Sequence, residues 1–113
     1  DEIAATVQVT EMLATPRRER AALYPKTLHG LTAMIYGLVG ASTRGNLSTG
    51  IEILADLRGL GGQGYGGLPV SELASFGFEL LIGRALEQGW EEVFAGSPDY
   101  AAYAAERQAA GLP

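Results

Sequence analysis

Few residues of this chain have the type and spacing that catalysis or metal binding requires. His29 is the only histidine and there is no cysteine, so disulfides, thiolate catalysis and cysteine-ligated metals are excluded. No acidic residue lies three or four positions from His29, as a metal site on one helix would need. Ser42 lacks the glycine two residues later that a nucleophile elbow requires, since Arg44 stands there. We therefore expect no catalytic residue, no metal and no cofactor, and the balance favours a non-enzymatic role.

The segment Gly59–Gly67 contains two overlapping GxGxxG patterns, a type of loop that binds nucleotide phosphates. A dinucleotide loop needs a strand before it, whereas the residues before Gly59 have helical periodicity. A Walker loop would continue with Lys-Ser or Lys-Thr, and Leu68-Pro69 stands there instead. We interpret the segment as a flexible connector between two helices. The alternative is a mobile loop that closes on a small molecule bound between helices. Its candidate polar contacts are His29, Tyr36, Gln63 and Tyr65.

Three arginines follow a proline in the first turn of a predicted helix: Arg17, Arg18 and Arg20. Cations at this end oppose the helix dipole, by about 0.3–1 kcal/mol each when exposed, so another interaction must favour them. They can bond the last carbonyls of the preceding helix or pair with nearby glutamates. The alternative is an acidic partner surface or a bound phosphate, which makes them interface candidates. The net charge of −5 argues against a nucleic-acid partner, since that binding needs a basic face.

An uncharged stretch of the chain runs from Thr27 to Thr43. Within it Ala33, Gly37 and Ala41 recur every four residues, which puts small side chains on one face of a helix. Such a face lets another backbone approach closely, so these three residues are also interface candidates. The stretch is at the lower limit of a membrane span, and its glycines, histidine and hydroxyl residues make it a poor one. We expect a soluble, buried helix here, and the less favoured alternative is a short membrane-associated helical protein.

Apolar residues recur with a helical period along most of the chain, and Ser, Thr, Pro and Gly mark the ends of the predicted helices. Thr15 and Ser97, each followed by proline, have the pattern of an N-cap with proline at the first helical position. A β-branched run leaves a strand as the alternative for residues 2–14. Gly89 is expected to kink the longest helix before it continues. The predicted helices span about 2–14, 16–24, 26–42, 46–59, 70–88 and 98–110, the fourth being capped by Asn46 or Ser48.

The helix over 70–88 is apolar on most sides and should be the centre of the core. With 113 residues, 47% of them hydrophobic, the chain should form a single helical domain over 1–113. The predicted fold is all-α, a compact bundle of five to six helices with a Gly-rich connector in the middle. The aromatic core candidates are Tyr24, Tyr36, Phe76, Phe78, Trp90 and Phe94.

Charged residues make up 19% of the chain, below the usual quarter for soluble domains, which indicates apolar surface that a partner covers. We expect a non-enzymatic helical interaction or structural subunit that self-associates or docks into a larger assembly, such as a virion or a multi-subunit complex. The alternative is a small-molecule-binding protein or small enzyme with a site between helices, gated by the Gly59–Gly67 loop. No secretory signal pattern is visible, and a cytoplasmic location is slightly favoured.

Overall fold

The structure, a computed structural model, describes the backbone of residues 2–60 and 64–112 and the side chains of residues 8–60 and 64–112. Five α-helices and two 3₁₀ segments account for the regular structure of these residues, which include no strand. The α-helices are α1 (Glu2–Ala14), α2 (Leu28–Gly40), α3 (Leu47–Gly59), α4 (Val70–Gln88) and α5 (Pro98–Ala109), and the 3₁₀ segments are Arg17–Leu23 and Glu91–Gly96. The predicted all-α bundle is confirmed, and residues 2–14 are helical.

The molecule is compact, as predicted. Its radius of gyration is 13.4 Å, and a folded domain of this length has about 13 Å. The third and fourth α-helices form the centre, with α4 packed against α3 and α2, while α1 packs on α2 and α5 on α3. Buried side chains from all of these elements meet in one cluster: Val9, Met12, Leu31, Met34, Ile51, Leu54, Leu57, Phe78, Leu81 and Tyr103.

Side-chain caps fix two of the helix starts. The Thr27 hydroxyl accepts a hydrogen bond from the Gly30 backbone N–H at 3.0 Å and begins α2. The Ser97 hydroxyl does the same for the Tyr100 N–H at 3.0 Å, with Pro98 at the first helical position of α5. The predicted Ser97-Pro98 start is thereby confirmed. The α2 helix is shorter than predicted at both ends, because Thr27 caps it and it ends at Gly40.

Three further predicted helix boundaries need correction. Thr15 does not cap the second element, because its hydroxyl donates to the Glu11 carbonyl at 2.7 Å and the 3₁₀ segment begins at Arg17, after Pro16. Asn46 precedes α3, but its side chain braces the preceding turn instead of capping the helix: its Oδ1 accepts from the Thr43 N–H at 2.7 Å and its Nδ2 donates to the Ala41 carbonyl at 3.2 Å. Ser48, the other predicted cap, lies inside α3. Gly89 ends α4 instead of kinking it, because its positive φ of 77° takes the backbone out of the helix.

Two neighbouring helices come very close to α4 at Gly77. A Cβ added there would lie 2.7 Å from Ile35 Cγ2 on α2 and 3.0 Å from Leu54 Cδ2 on α3. Real Cβ atoms do not approach other atoms as closely as 2.7 Å, so α4 lies this near to α2 because residue 77 has no side chain. Consecutive residues of an α-helix are about 100° apart around its axis. When one residue packs inward at this contact, the residues before and after it therefore point to the sides.

That rotation explains why two of the aromatic core candidates are wrong. Tyr36 follows Ile35 and Phe76 precedes Gly77, and their side chains are 55% and 48% exposed. The other candidates lie inside or at the edge of the core: Tyr24, Phe78 and Phe94 are buried and Trp90 is half-buried. The helix α4 is therefore central, as predicted, but it is not covered on all sides.

Across residues 2–60 and 64–112, no helix has both the length and the apolar character that crossing a membrane would require.

Candidate functional site

The three arginine candidates have different surroundings. Arg17 joins two elements distant in sequence: its guanidinium contacts Asp56 of α3 at 2.8 Å and Asp99 of α5 at 3.0 Å. These hydrogen bonds raise the pKa of Arg17 above its ordinary value. Arg20 is buried, and it donates to the Thr15 carbonyl at 3.1 Å, just beyond the end of α1. Its Nη1 also pairs with Glu52 at 3.0 Å.

The third arginine differs from the other two. The Arg18 side chain is 86% exposed, and its guanidinium reaches Glu19 only at 4.0 Å. Two of the three arginines thus bind groups of the same chain, and the carbonyl contact suggested by the sequence is present at Arg20. The acidic partners of Arg17 were not foreseen, because nothing in a sequence pattern brings residues 17, 56 and 99 together.

The small-residue stripe lies at the edge of the bundle. Ala33 and Gly37 are half-buried, and Ala41 is exposed just after the end of α2. A close approach between helices is found at another glycine, Gly77 of α4, and the role of the stripe as an interface stays a prediction. One signal could have found the contact at Gly77: a glycine in the interior of the most apolar predicted helix costs about 1 kcal/mol against alanine, so it indicates a packing reason.

The residues predicted to surround a ligand are not all in one place. His29 is exposed on α2, and the Tyr36 ring contacts Phe76. Tyr65 is buried, with the Lys26 ammonium 4.3 Å from its ring centre. Gln63 lies outside the described residues. Tyr36 and Tyr65 therefore contact different residues, and the ligand site suggested by the sequence stays a prediction.

An exposed apolar surface lies along α2 and α4. The Tyr36 and Phe76 rings meet edge to face, with their centres 6.2 Å apart and their planes at 73°. Leu28 is 50% exposed two turns before Tyr36, and Leu80 is partly buried one turn after Phe76. We call this surface, made of Leu28, Tyr36, Phe76 and Leu80, the α2–α4 face. Sequence reasoning missed it, because it assigned both rings to the core.

The direction of the two helices follows from their contacts. Ile35 of α2 lies against Gly77 of α4, and further along, the Ser42 carbonyl after α2 accepts from Arg84 of α4 at 3.5 Å. Residue numbers increase together along both helices, so α2 and α4 run parallel. Residues at the amino-terminal ends of the two helices therefore lie at the same end of the α2–α4 face.

A cavity of about 390 Å³ lies between the first 3₁₀ segment and α3. Arg17, Ala21 and Tyr24 line it on one side, and Ala55, Asp56, Gly59 and Leu60 on the other. The Tyr24 side chain is buried, and its hydroxyl has no hydrogen-bond partner among the described residues. Burial and the charge of Asp56 raise the pKa of Tyr24 to about 12, so this hydroxyl is a permanent donor at neutral pH.

A second groove, of about 370 Å³, lies between α4 and α5. At one end the Glu79 carboxylate accepts from Arg107 Nε at 2.6 Å, from Arg107 Nη2 at 2.8 Å and from the Tyr103 hydroxyl. Burial alone would raise the pKa of Glu79, but these hydrogen bonds outweigh it and hold the pKa below its ordinary value. With three donors already bound, the carboxylate has little capacity left for a ligand. Its role is to hold α5 on α4.

Within the part of the chain that the structure describes, no three His, Cys, Asp or Glu side chains are grouped so that they could hold a metal ion. The glycine segment is described only on either side of residues 61–63. Among the features described here, the α2–α4 face is the strongest candidate for function. Comparison of the chain with protein-family models, curated proteins and solved structures gives no match.

Proposed function

We propose that this chain is a non-enzymatic helical subunit whose function is protein contact, and that the α2–α4 face makes the contact. The supporting observation is the exposure of two touching aromatic rings on adjacent helices, Tyr36 at 55% and Phe76 at 48%. Aromatic residues that become buried at the centre of an interface contribute much of its binding energy. Since each ring is already about half buried, its complete burial would contribute about half of the roughly 1.5–3 kcal/mol that full burial of a large apolar side chain gives.

A second copy of the chain is the partner that this face fits best. Lys26 and His29 are exposed at the start of α2, and Glu72 is exposed at the start of α4. Because the helices run parallel, these groups lie at the same end of the face. In the proposed dimer a twofold axis runs parallel to α2 and α4. The α2 helix of one copy then packs against α4 of the other, and the amino-terminal ends of both helices lie at the same end of the interface. Lys26 of each copy would then approach Glu72 of the other, in an interface of the self-complementary type that homodimers use.

The first test is the mass of the chain in solution, measured by light scattering over a range of concentrations. We expect the wild type to show twice the chain mass and Phe76→Ser to show the mass of one chain. Leu86→Ser is the matched control, because Leu86 is 56% exposed on the same helix but lines the groove against α5. It should leave the dimer intact.

Charge reversal separates this geometry from nonspecific hydrophobic contact. Glu72→Lys should weaken the dimer, because it would face Lys26 across the interface. A wild-type chain that keeps the mass of one copy at every concentration would contradict self-association. Equal masses for Phe76→Ser and Leu86→Ser would show that the α2–α4 face is not the contact surface.

A further inference from the structure

We propose that the groove between α4 and α5 is a binding site for a small neutral molecule with a largely apolar body. The groove is separate from the α2–α4 face, so this inference does not depend on self-association. Its apolar walls are Ile82 and Leu86 of α4 and Tyr100 and Ala104 of α5. Leu86 is 56% exposed, so a molecule from solvent can reach the groove directly.

The groove is lined in part by a helix residue without a side chain. Gly83 lies in the interior of α4 and lines the groove. No neighbouring atom of the described chain lies within 4 Å of the position that a Cβ would take there. Alanine would favour the helix by about 1 kcal/mol, and no contact within the described chain requires glycine at this position. The missing side chain leaves open space beside the helix that a ligand can fill.

The α5 side of the groove is held in a fixed position. Tyr100 stacks on Phe94 and Tyr103 stacks on Phe78, and in both pairs the ring centres are 4.1 Å apart and the planes are nearly parallel. These stacks leave the tyrosine rings little freedom to rotate into the groove. Small-molecule sites are usually formed before the ligand arrives, since ordering side chains on binding costs affinity.

The size of the groove favours a small molecule over a partner helix. Its volume of about 370 Å³ lies within the roughly 300–1,000 Å³ that is usual for small-molecule sites. On α4 the lining residues extend from Glu79 to Leu86, which is about 10 Å along the helix axis. A docked helix of average length, about 11–12 residues, would extend beyond both ends. A molecule of one or two rings matches the groove better.

Charge decides which kind of small molecule fits. Among the described residues, the charged side chains that line the groove are Glu79 and Arg107, and they bind each other at 2.6 Å. Their charges cancel, so the lining offers no net charge to an anion or a cation. A charged ligand would lose part of its hydration without compensation. A neutral molecule has no such cost, and its apolar body would gain from contact with the walls.

The experiment uses three probes with the same ring and different charge: cyclohexanol, cyclohexanecarboxylate and cyclohexylammonium. Each is titrated at millimolar concentration into the ¹⁵N-labelled full chain at neutral pH, and amide chemical shifts are followed. We expect cyclohexanol to move the resonances of Gly83, Leu86 and Ala104 in a saturable way. The two ions should move them far less, because each would lose hydration without gaining an opposite charge.

Gly83→Leu then tests the open space itself. The new side chain should occupy the groove, so the saturable shifts with cyclohexanol should be lost. The variant should melt at or above the wild-type temperature, because the substituted position is open and leucine is a better helix former than glycine. Gly40→Leu is the matched control, since Gly40 is exposed at the end of α2 and is equally open. It should bind cyclohexanol as the wild type does.

Two further variants separate the groove from the α2–α4 face. Phe76→Ser should dissociate the proposed dimer and keep the wild-type affinity for cyclohexanol. Leu86→Ser should keep the dimer and weaken cyclohexanol binding several-fold, because it removes part of an apolar wall. Failure of one proposal therefore leaves the other open to its own test.

The groove is not a ligand site if no probe causes saturable shifts at millimolar concentration. A charged probe that binds as tightly as cyclohexanol would contradict the inferred ligand class. Equal cyclohexanol affinity in Gly83→Leu and wild type would place the binding outside the groove, and equal loss in Gly83→Leu and Gly40→Leu would show that it is nonspecific. A Gly83→Leu variant that melts below the wild type would show that the space beside Gly83 is not open.

Discussion

At the scale of single residues, the glycines of α4 have opposite roles. Gly77 lies where the helix touches both neighbours, and an added Cβ would meet the branched carbon chain of Ile35 at 2.7 Å. Gly83, six residues later on the same helix, has nothing within 4 Å of the position that a Cβ would take. One glycine is required by packing, and the other lowers helix stability without a contact inside the described chain that requires it.

This contrast predicts opposite effects for the same substitution. Gly77→Ala should lower the free energy of unfolding, because overpacking costs about 1–3 kcal/mol and Ile35 is too stiff at its branch point to move aside. Gly83→Ala should raise the free energy of unfolding by up to about 1 kcal/mol, through helix propensity alone. Chemical denaturation of the two variants measures both values. Equal shifts in the same direction would mean that the contact at Gly77 is looser than described.

The same scale shows what a sequence pattern can and cannot identify. Spacing every four residues correctly places Ala33 and Gly37 together on one side of α2, but it does not say which side meets another helix. That depends on the rotation of α2 against α4, which Ile35 and Gly77 set through contacts between distant parts of the chain. The aromatic rings at 36 and 76 are exposed for the same reason.

At the scale of elements, α5 illustrates how a helix can be predicted while its attachment cannot. The signals for its start come from neighbouring residues in the sequence, since Ser97 caps the helix and Pro98 occupies its first position. Its attachment is not local, since Tyr103 and Arg107 both bind Glu79 of α4, and Arg58 of α3 pairs with Glu106 at 2.8 Å. These partners lie between 24 and 48 residues apart, beyond any periodic signal.

The attachment of α5 should depend on pH. In the folded chain the pKa of Glu79 is below its ordinary value. Burial raises this pKa, but the hydrogen bonds from Arg107 and Tyr103 lower it by a larger amount. Its contribution to stability is therefore present above its ordinary value near 4.5 and is lost as the pH falls through the folded pKa. Because the side chain is 41% exposed, solvent screening limits the contribution to a few degrees of melting temperature.

Melting curves of Glu79→Gln across this range provide the measurement. The variant should melt below the wild type at neutral pH, and the difference should shrink as the solution is acidified. Glu87→Gln, an exposed acid of the same helix, should show no such trend. A difference between wild type and Glu79→Gln that is constant from neutral to acid pH would mean that the carboxylate is not ionised in its contact with α5.

At the scale of the whole molecule, helical class and most helix bounds could be predicted because they depend on local periodicity and caps. The α4 range is the same in prediction and structure, 70–88. The 3₁₀ character of Arg17–Leu23 and Glu91–Gly96 could not be predicted, since both are short segments shaped by the helices that they join. The candidate groove was also beyond prediction, because Gly83 and Ala104 line it together only in the folded chain.

The long-range contacts predict that the chain unfolds as one cooperative unit. Arg17 joins the first 3₁₀ segment to α3 and α5 across 39 and 82 residues, and a single core cluster extends from Val9 to Tyr103. No part of this core can separate without exposing buried side chains of another element, so intermediates should be unstable.

The fluorescence of Trp90, near the end of α4, and far-UV circular dichroism should give coincident transitions. Phe76→Ser is the background to use, because the proposed dimer would otherwise dissociate before the chain unfolds. Adding Arg17→Gln should lower both midpoints together, although the substitution is remote from Trp90 in the sequence. If the Trp90 signal kept its midpoint while the dichroism shifted, the two ends of the chain would be separate folding units, and the single domain predicted over 1–113 would be wrong.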